Sequence, residues 1–171
     1  MRIAITGPES TGKSELGYNL SLHYNIPLVP EFARKYLIQL QRPYKQPDLT
    51  DIAKGQLLYW NAYKEGQSFI SDTEMLTIKI WSEVKYQKCD TYISKAFADQ
   101  KFDLYLLCYP DISWEPDELR EHPSKADRIH LFSLYKEALD RIGFNYKIIK
   151  GEGNVRLNSA LEIVNLKFEN G

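Results

Sequence analysis

The sequence predicts an α/β fold built on a central, mainly parallel sheet. Three observations carry this. Short apolar runs alternate with longer stretches of helical spacing along the chain. The first run ends in a glycine-containing loop that leads straight into a helical stretch. The run Phe102 to Cys108 (Phe-Asp-Leu-Tyr-Leu-Leu-Cys) is apolar enough to be a strand covered on both faces.

Each element follows from its own pattern. Ile3 to Thr6 is a short apolar run stopped by Gly7-Pro8, so it reads as a buried strand. A helix is expected from about Lys13 to Tyr24, with Leu16, Leu20, His23 and Tyr24 on one face. Pro27 to Val29 reads as a second strand and Glu31 to Leu40 as a helix, with Pro43 and Pro47 breaking the chain after it. Asp48 is expected to cap a long helix that carries Leu49, Ile52, Ala53, Leu57, Trp60 and Tyr63 inward, with Gln56 as a polar interruption. Ser68 to Asp72 is a third strand ending in a carboxylate, and Thr73 to about Lys88 a helix. No element is assigned between Cys89 and Lys101. After the Phe102 strand comes a charged, proline-punctuated stretch from Pro110 to Lys125. A helix then runs to about Ile142 with Ile129, Phe132, Tyr135, Leu139 and Ile142 inward. Tyr146 to Ile149 and Val155 to Phe168 are the last strand and helix.

The bulk properties exclude several classes. A chain of 171 residues, 43% hydrophobic and 26% charged, suits one domain with a real core, read here as 1–171. The formal net charge of −1 gives no general attraction to nucleic acid or an anionic membrane. No apolar run reaches the length of a membrane span, and the N-terminus is too short to be a signal segment before Gly7-Pro8 interrupts it. Cys89 and Cys108 have neither Cys-x-x-Cys spacing nor histidines around them, so they read as free thiols in the cytoplasm. The sequence carries no signal for oligomeric state.

Gly7-Pro8-Glu9-Ser10-Thr11-Gly12-Lys13-Ser14 fits G-x-x-x-x-G-K-[ST] between a strand and a helix. The glycines let successive N–H groups converge on one anion, and the helix adds its positive end. Lys13 is expected on the β- and γ-phosphates of a nucleoside triphosphate, and the Ser14 hydroxyl on Mg²⁺. The loop alone does not separate a kinase from a GTPase or a motor.

Carboxylates stand at two further strand ends. Asp72 can hold the Mg²⁺ shell or cap the next helix. Glu31 can take the proton of an acceptor hydroxyl, or be a surface residue opening a helix. Arg34 lies one turn beyond Glu31 and can pair with it. The segment 110–128 has the length and charge of a lid, in which Arg120 and Arg128 can close over a transferring phosphoryl group or simply face solvent. Trp114, between Ser113 and Glu115-Pro116, does not suit a core position.

Taken in order, residues 7–14, Glu-Phe-Ala-Arg-Lys-Tyr-Leu at 31–37, Ser-Asp-Thr-Glu-Met-Leu-Thr at 71–77, Cys-Tyr-Pro-Asp-Ile-Ser-Trp-Glu-Pro-Asp-Glu-Leu-Arg at 108–120 and the later Arg128 resemble the ribosylnicotinamide kinase domain of NadR-type NAD-biosynthesis proteins. The resemblance spans nearly the whole chain. It implies a three-layer P-loop kinase fold and transfer of phosphate from ATP to the ribose 5′-hydroxyl of nicotinamide riboside. It carries Lys13 and Ser14 over as phosphate and metal contacts, Asp72 as an acidic residue near Mg²⁺ or ribose, and Trp114, Asp117, Arg120 and Arg128 as lid or lid-flanking residues. Glu31, Arg34 and Thr73 match the same motifs on the acceptor side. Bifunctional members carry an adenylyltransferase domain, and some a DNA-binding domain. Those activities are not carried over to this chain. Two rivals stay open: a kinase for another nucleoside, nucleotide or metabolite, and an ATP-binding regulatory module.

Overall fold

The structure, a computed structural model, describes residues 1 to 168. Residues 169–171, the end of the expected single domain, lie outside the described residues. Five strands form one sheet: β1 (Arg2–Thr6), β2 (Leu28–Val29), β3 (Phe69–Asp72), β4 (Leu104–Cys108) and β5 (Tyr146–Ile149), in the order β2-β3-β1-β4-β5. Every pairing is parallel, with Ile3 opposite Ile70 on one side and Leu104 on the other. The helices are α1 (Lys13–Tyr24), α2 (Phe32–Leu40), α3 (Gln46–Asn61), α4 (Met75–Tyr86), α5 (Thr91–Asp99), α6 (Lys125–Ile142) and α7 (Gly153–Phe168).

Strand alternation sorts the core into two halves, one on each face of the sheet. Ile3, Ile5, Ile70, Leu104, Leu106 and Cys108 meet Leu16 and Leu20 of α1 and Ala160 and Val164 of α7. Ala4, Phe69, Tyr105 and Leu107 face the opposite way, onto residues of α3 to α6 such as Ile52, Leu76, Phe97 and Leu139. The result is three layers, helix on sheet on helix. Because all strands run the same way, every βα turn emerges at one edge. The order reverses around β1, and a crevice opens there.

Local chemistry explains where the pattern reading and the structure part. Asp48 does not stand at the N-cap. Lys45 does, and Asp48 sits three residues on, where its carboxylate accepts the Lys45 N–H at 2.7 Å in a capping box. It also takes two bonds from the Arg42 guanidinium, each 2.8 Å, which hold its carboxyl well below the ordinary range. The helix α5 carries too short an apolar stripe to stand out, with only Ile93 and Phe97 fully inward, and Asp90 caps it through the Tyr92 N–H at 2.7 Å. His23 and Ile129, expected inward, are exposed.

The packing of α2 on α3 turns on one small residue. A side chain at Gly55 would overlap the Phe32 ring, so the two helices approach only because that position is bare. Gly55→Ala should therefore lower stability by about 1–3 kcal/mol, despite the better helix propensity of alanine. Urea unfolding checks this, and an unchanged or raised midpoint would show that Phe32 moves aside freely.

Candidate active site

The first strand ends under a phosphate-binding loop whose shape is fixed by its neighbours. Gly7 lies at φ 132°, and a Cβ there would come within 2.7 Å of the Cys108 carbonyl of β4. The Thr11 hydroxyl donates to the Pro8 carbonyl at 2.8 Å. Arg156 of α7 reaches underneath. Its buried guanidinium donates to the carbonyls of Thr11, Gly151 (2.7 Å) and Tyr109 (3.0 Å), and pairs with Asp111. Among the described residues, no loop or turn hydrogen bond is donated by the N–H groups of residues 9–13. Those donors are therefore open to an anion beside the start of α1, the arrangement a polyphosphate requires.

Lys13 is half-buried. Its ammonium donates to the Pro8 carbonyl at 2.6 Å. Beside it, a cleft of about 420 Å³ runs from the loop to the carboxyl ends of β2 and β3. Gly7, Glu9, Ser10, Thr11, Gly12, Lys13 and Ser14 line one end, with Gly153 and Arg156. Glu31, Arg34, Asp72, Trp81 and Tyr135 line the other, and Asp117 and Arg120 lie along the irregular segment above.

Asp72 is aimed by a corner under strain. Thr73, a β-branched residue, stands at φ 78°, which costs on the order of 1–3 kcal/mol. Hydrogen bonds hold it there. The Thr73 N–H donates to the Ile5 carbonyl at 3.0 Å, and its carbonyl accepts the Ser71 hydroxyl at 2.7 Å. The Trp60 indole N–H fixes Ser71 in turn at 2.8 Å. Glu74, not Asp72, caps α4. It is wholly buried and accepts from Thr6 Oγ1 (2.6 Å), the Leu76 N–H (2.7 Å) and Gln100 Nε2 (2.7 Å). Burial pushes its pKa up against those three bonds.

Glu31 lies between unlike neighbours. Loss of hydration is the largest effect and raises its pKa. Lys13 opposes this and Asp72 adds to it, so proton affinity is gained on balance. Arg34 forms its ion pair with Asp117, at 2.9 Å, and not with Glu31.

The other sequence candidates divide. Arg120 lines the cleft, with its guanidinium on the Glu115 carbonyl. Arg128 does not. It stands in the first turn of α6, buried, and donates to the carbonyls of Ser10 (3.3 Å) and Ile112 (3.1 Å). The irregular stretch thus ends at Ser124, whose hydroxyl caps α6, and not at residue 128. Trp114 bonds Glu9 through its indole N–H at 3.1 Å and is not on the cleft lining. Thr73 is buried behind Asp72. Of the residues read from the sequence as Mg²⁺ ligands, the Ser14 hydroxyl and the Asp72 carboxylate both stand on the cleft wall, where they could hold a divalent ion. Such hard oxygen donors suit an ion whose shell is completed by phosphate oxygens and water.

A family model described as an AAA domain matches residues 2–156. The chain belongs to that family. This AAA-domain chain is 28% identical over 158 residues to the trifunctional NAD biosynthesis/regulator protein NadR of Escherichia coli K12, a match covering 88% of the chain and 38% of that protein. The NadR of Salmonella typhimurium LT2 gives 28% over 156 residues, 86% and 38%. The chain thus spans less than two fifths of the curated relatives it matches. Among solved structures, NadR in complex with NAD and AMP-PNP superposes with a TM-score of 0.78 at 20% identity, covering 97% of this chain and 49% of that one. A deoxyadenosine kinase from M. mycoides gives 0.64 at 18% identity, covering 97% and 100%. The fold is that of the P-loop nucleoside kinases, as the sequence predicts.

Sequence reasoning did not single out Trp81 or Arg156, and Tyr135, read as inward and buried in the core, also reaches the cleft lining. The signal for Arg156 was available: Arg156, Ala160 and Val164 are spaced by four, which puts an arginine in line with the buried stripe of α7. Arg156→Met should cost about 3 kcal/mol, because it leaves buried carbonyls unpartnered. Urea unfolding measures it. A loss under about 1 kcal/mol would mean that these contacts do not hold the loop.

Proposed function

We propose that this chain is a kinase that transfers the γ-phosphoryl group of ATP to the ribose 5′-hydroxyl of nicotinamide riboside. The observation that carries this is the two-ended cleft, with a phosphate loop at one end and Glu31, Asp72, Trp81 and Tyr135 at the other. Nicotinamide riboside is a cationic aromatic nucleoside. Aromatic rings and carboxylates are the groups that receive it. The sequence likeness to NadR and a fold match of TM-score 0.74 to NadR in complex with NR support the choice.

In this reading the open N–H groups of the loop cradle the phosphates, and Lys13 leaves the Pro8 carbonyl to meet them. Ser14 and Asp72 would hold Mg²⁺, which would supply neutralisation of the developing charge. Glu31 takes the proton from the acceptor hydroxyl. Its raised proton affinity makes it a better base than an exposed carboxylate, provided it is ionised. Arg120 supplies positive charge from above. A cytoplasmic location goes with this reading.

The second reading is a kinase for another nucleoside, since the fold matches those of deoxyadenosine kinase and of a thymidylate kinase at a TM-score of 0.66. A coupled ADP-release assay separates the two. Nicotinamide riboside should give a higher kcat/KM than thymidine, uridine or adenosine, and Lys13→Ala should abolish turnover. A higher value for a neutral nucleoside would overturn the acceptor, and full turnover by Lys13→Ala would overturn the kinase.

The base has its own signature. It acts when ionised, so activity is lost as pH falls through its pKa. The acidic limb of kcat/KM for the acceptor should lie above the ordinary glutamate value of about 4.3. Glu31→Gln should remove that limb and lower kcat about 100-fold or more. An unshifted limb in Glu31→Gln would assign the proton transfer elsewhere.

A further inference from the structure

We propose that Glu9 is a positioning residue: its carboxylate anchors the irregular segment over the phosphate loop and thereby sets Arg120 at the cleft. A carboxylate inside a phosphate-binding loop is electrostatically adverse, since it repels the polyphosphate the loop is shaped to hold. Here that charge is engaged by the segment above. Glu9 Oε1 accepts the Trp114 indole N–H at 3.1 Å and the His122 N–H at 2.7 Å, and Oε2 accepts the Glu121 N–H at 2.9 Å. Hydrogen bonds to a charged acceptor are stronger than neutral ones, and three converge on one group.

The neighbouring contacts run the same way but are weaker. Ser10 Oγ accepts the Glu115 N–H at 3.2 Å and donates to the Ser113 carbonyl at 3.3 Å. Across the cleft, Asp117 pairs with Arg34 at 2.9 Å, and Glu121 meets Lys85 at 2.6 Å and the Tyr44 hydroxyl at 3.0 Å. Those two ion pairs are exposed enough to contribute little singly. The segment is thus a strap, held at its start by the Asp111–Arg156 pair and the Arg128 bond to Ile112, and Glu9 is its attachment next to Arg120. The two backbone amides that Glu9 holds, those of residues 121 and 122, directly follow Arg120, so fixing them fixes where the Arg120 side chain begins. Trp114 has its place in the same account. It sits in a charged, proline-punctuated segment because its indole N–H completes the Glu9 site.

Only the kinetic part rests on the proposed kinase reading. The test therefore has two arms on the full chain. Backbone amide exchange is measured in the ligand-free protein and in Glu9→Ala, Glu9→Gln and Trp114→Phe. In Glu9→Ala the amides of Glu121 and His122 should exchange about tenfold faster or more, while β1, β3 and β4 stay unchanged. Glu9→Gln keeps one acceptor oxygen and should fall between, and Trp114→Phe, which loses a single donor, should show a smaller rise. In the second arm, kcat is compared for Glu9→Ala, Arg120→Ala and the double variant. If Glu9 acts through Arg120, the double variant should be no slower than Arg120→Ala, whereas a purely structural role would make the losses multiply. Unchanged exchange at 121 and 122 in both Glu9 variants, or multiplicative losses in kcat, would overturn the proposal. Should no acceptor be turned over at all, the kinase reading falls and the exchange arm alone decides the anchor.

Discussion

The bare backbone of Gly7 against the Cys108 carbonyl is the contact on which the site depends. At a Cβ distance of 2.7 Å to a backbone atom, nothing flexible can give way. The chain leaving β1 must therefore turn closely over the end of β4, and this places the loop at the centre of the carboxyl edge. Arg156 then grips the Thr11 carbonyl from below, so the loop is held by β4 on one side and α7 on the other. Since β4 leads directly into the segment that carries Trp114 and Arg120, one junction sets both the floor of the cleft and the origin of its cover.

A second junction couples the core to the acidic side of the cleft. Trp60 belongs to α3 and packs edge-on against Phe102 with a 5.1 Å centroid separation, yet its indole N–H fixes the Ser71 hydroxyl. Ser71 fixes the strained Thr73, and Thr73 separates Asp72 in the cleft from Glu74 in the interior. Two carboxyl groups two residues apart that differ so much in surroundings cannot do the same work. Burial favours the protonated form of Glu74, which makes it a structural hydrogen-bonding group, whereas Asp72 reaches the cleft wall.

The sheet was legible in the sequence because buried parallel strands announce themselves as apolar runs, and the phosphate loop because its chemistry demands a fixed spacing. All five strand readings match within a residue or two. What was not legible depended on side chains that meet from distant parts of the chain. Glu9 and Glu121 are 112 residues apart, and no local pattern couples them. Trp81 lies at the margin of the core and Tyr135 within it, and only the way α4 and α6 sit on the sheet brings both to the cleft lining. The i, i+3 spacing allowed Arg34 to pair with Glu31, but Asp117 reaches it from the segment above.

The cations around the loop follow one rule that the sequence does not reveal. Lys13 rests on the Pro8 carbonyl, Arg120 on that of Glu115, Arg128 on those of Ser10 and Ile112, and Arg156 on those of Thr11, Gly151 and Tyr109, with Asp111 as the one carboxylate among these partners. Bonds to neutral carbonyls are weaker than bonds to anions, so a cation held in this way gives up little when a phosphate oxygen arrives. Whether it can move is then decided by burial. Arg128 and Arg156 are almost fully enclosed, and leaving would strand the carbonyls they serve, so they remain part of the scaffold. Lys13 and Arg120 are only half-buried and keep access to the cleft. The division between enclosed and accessible charge around the loop thus comes from burial, not from residue type.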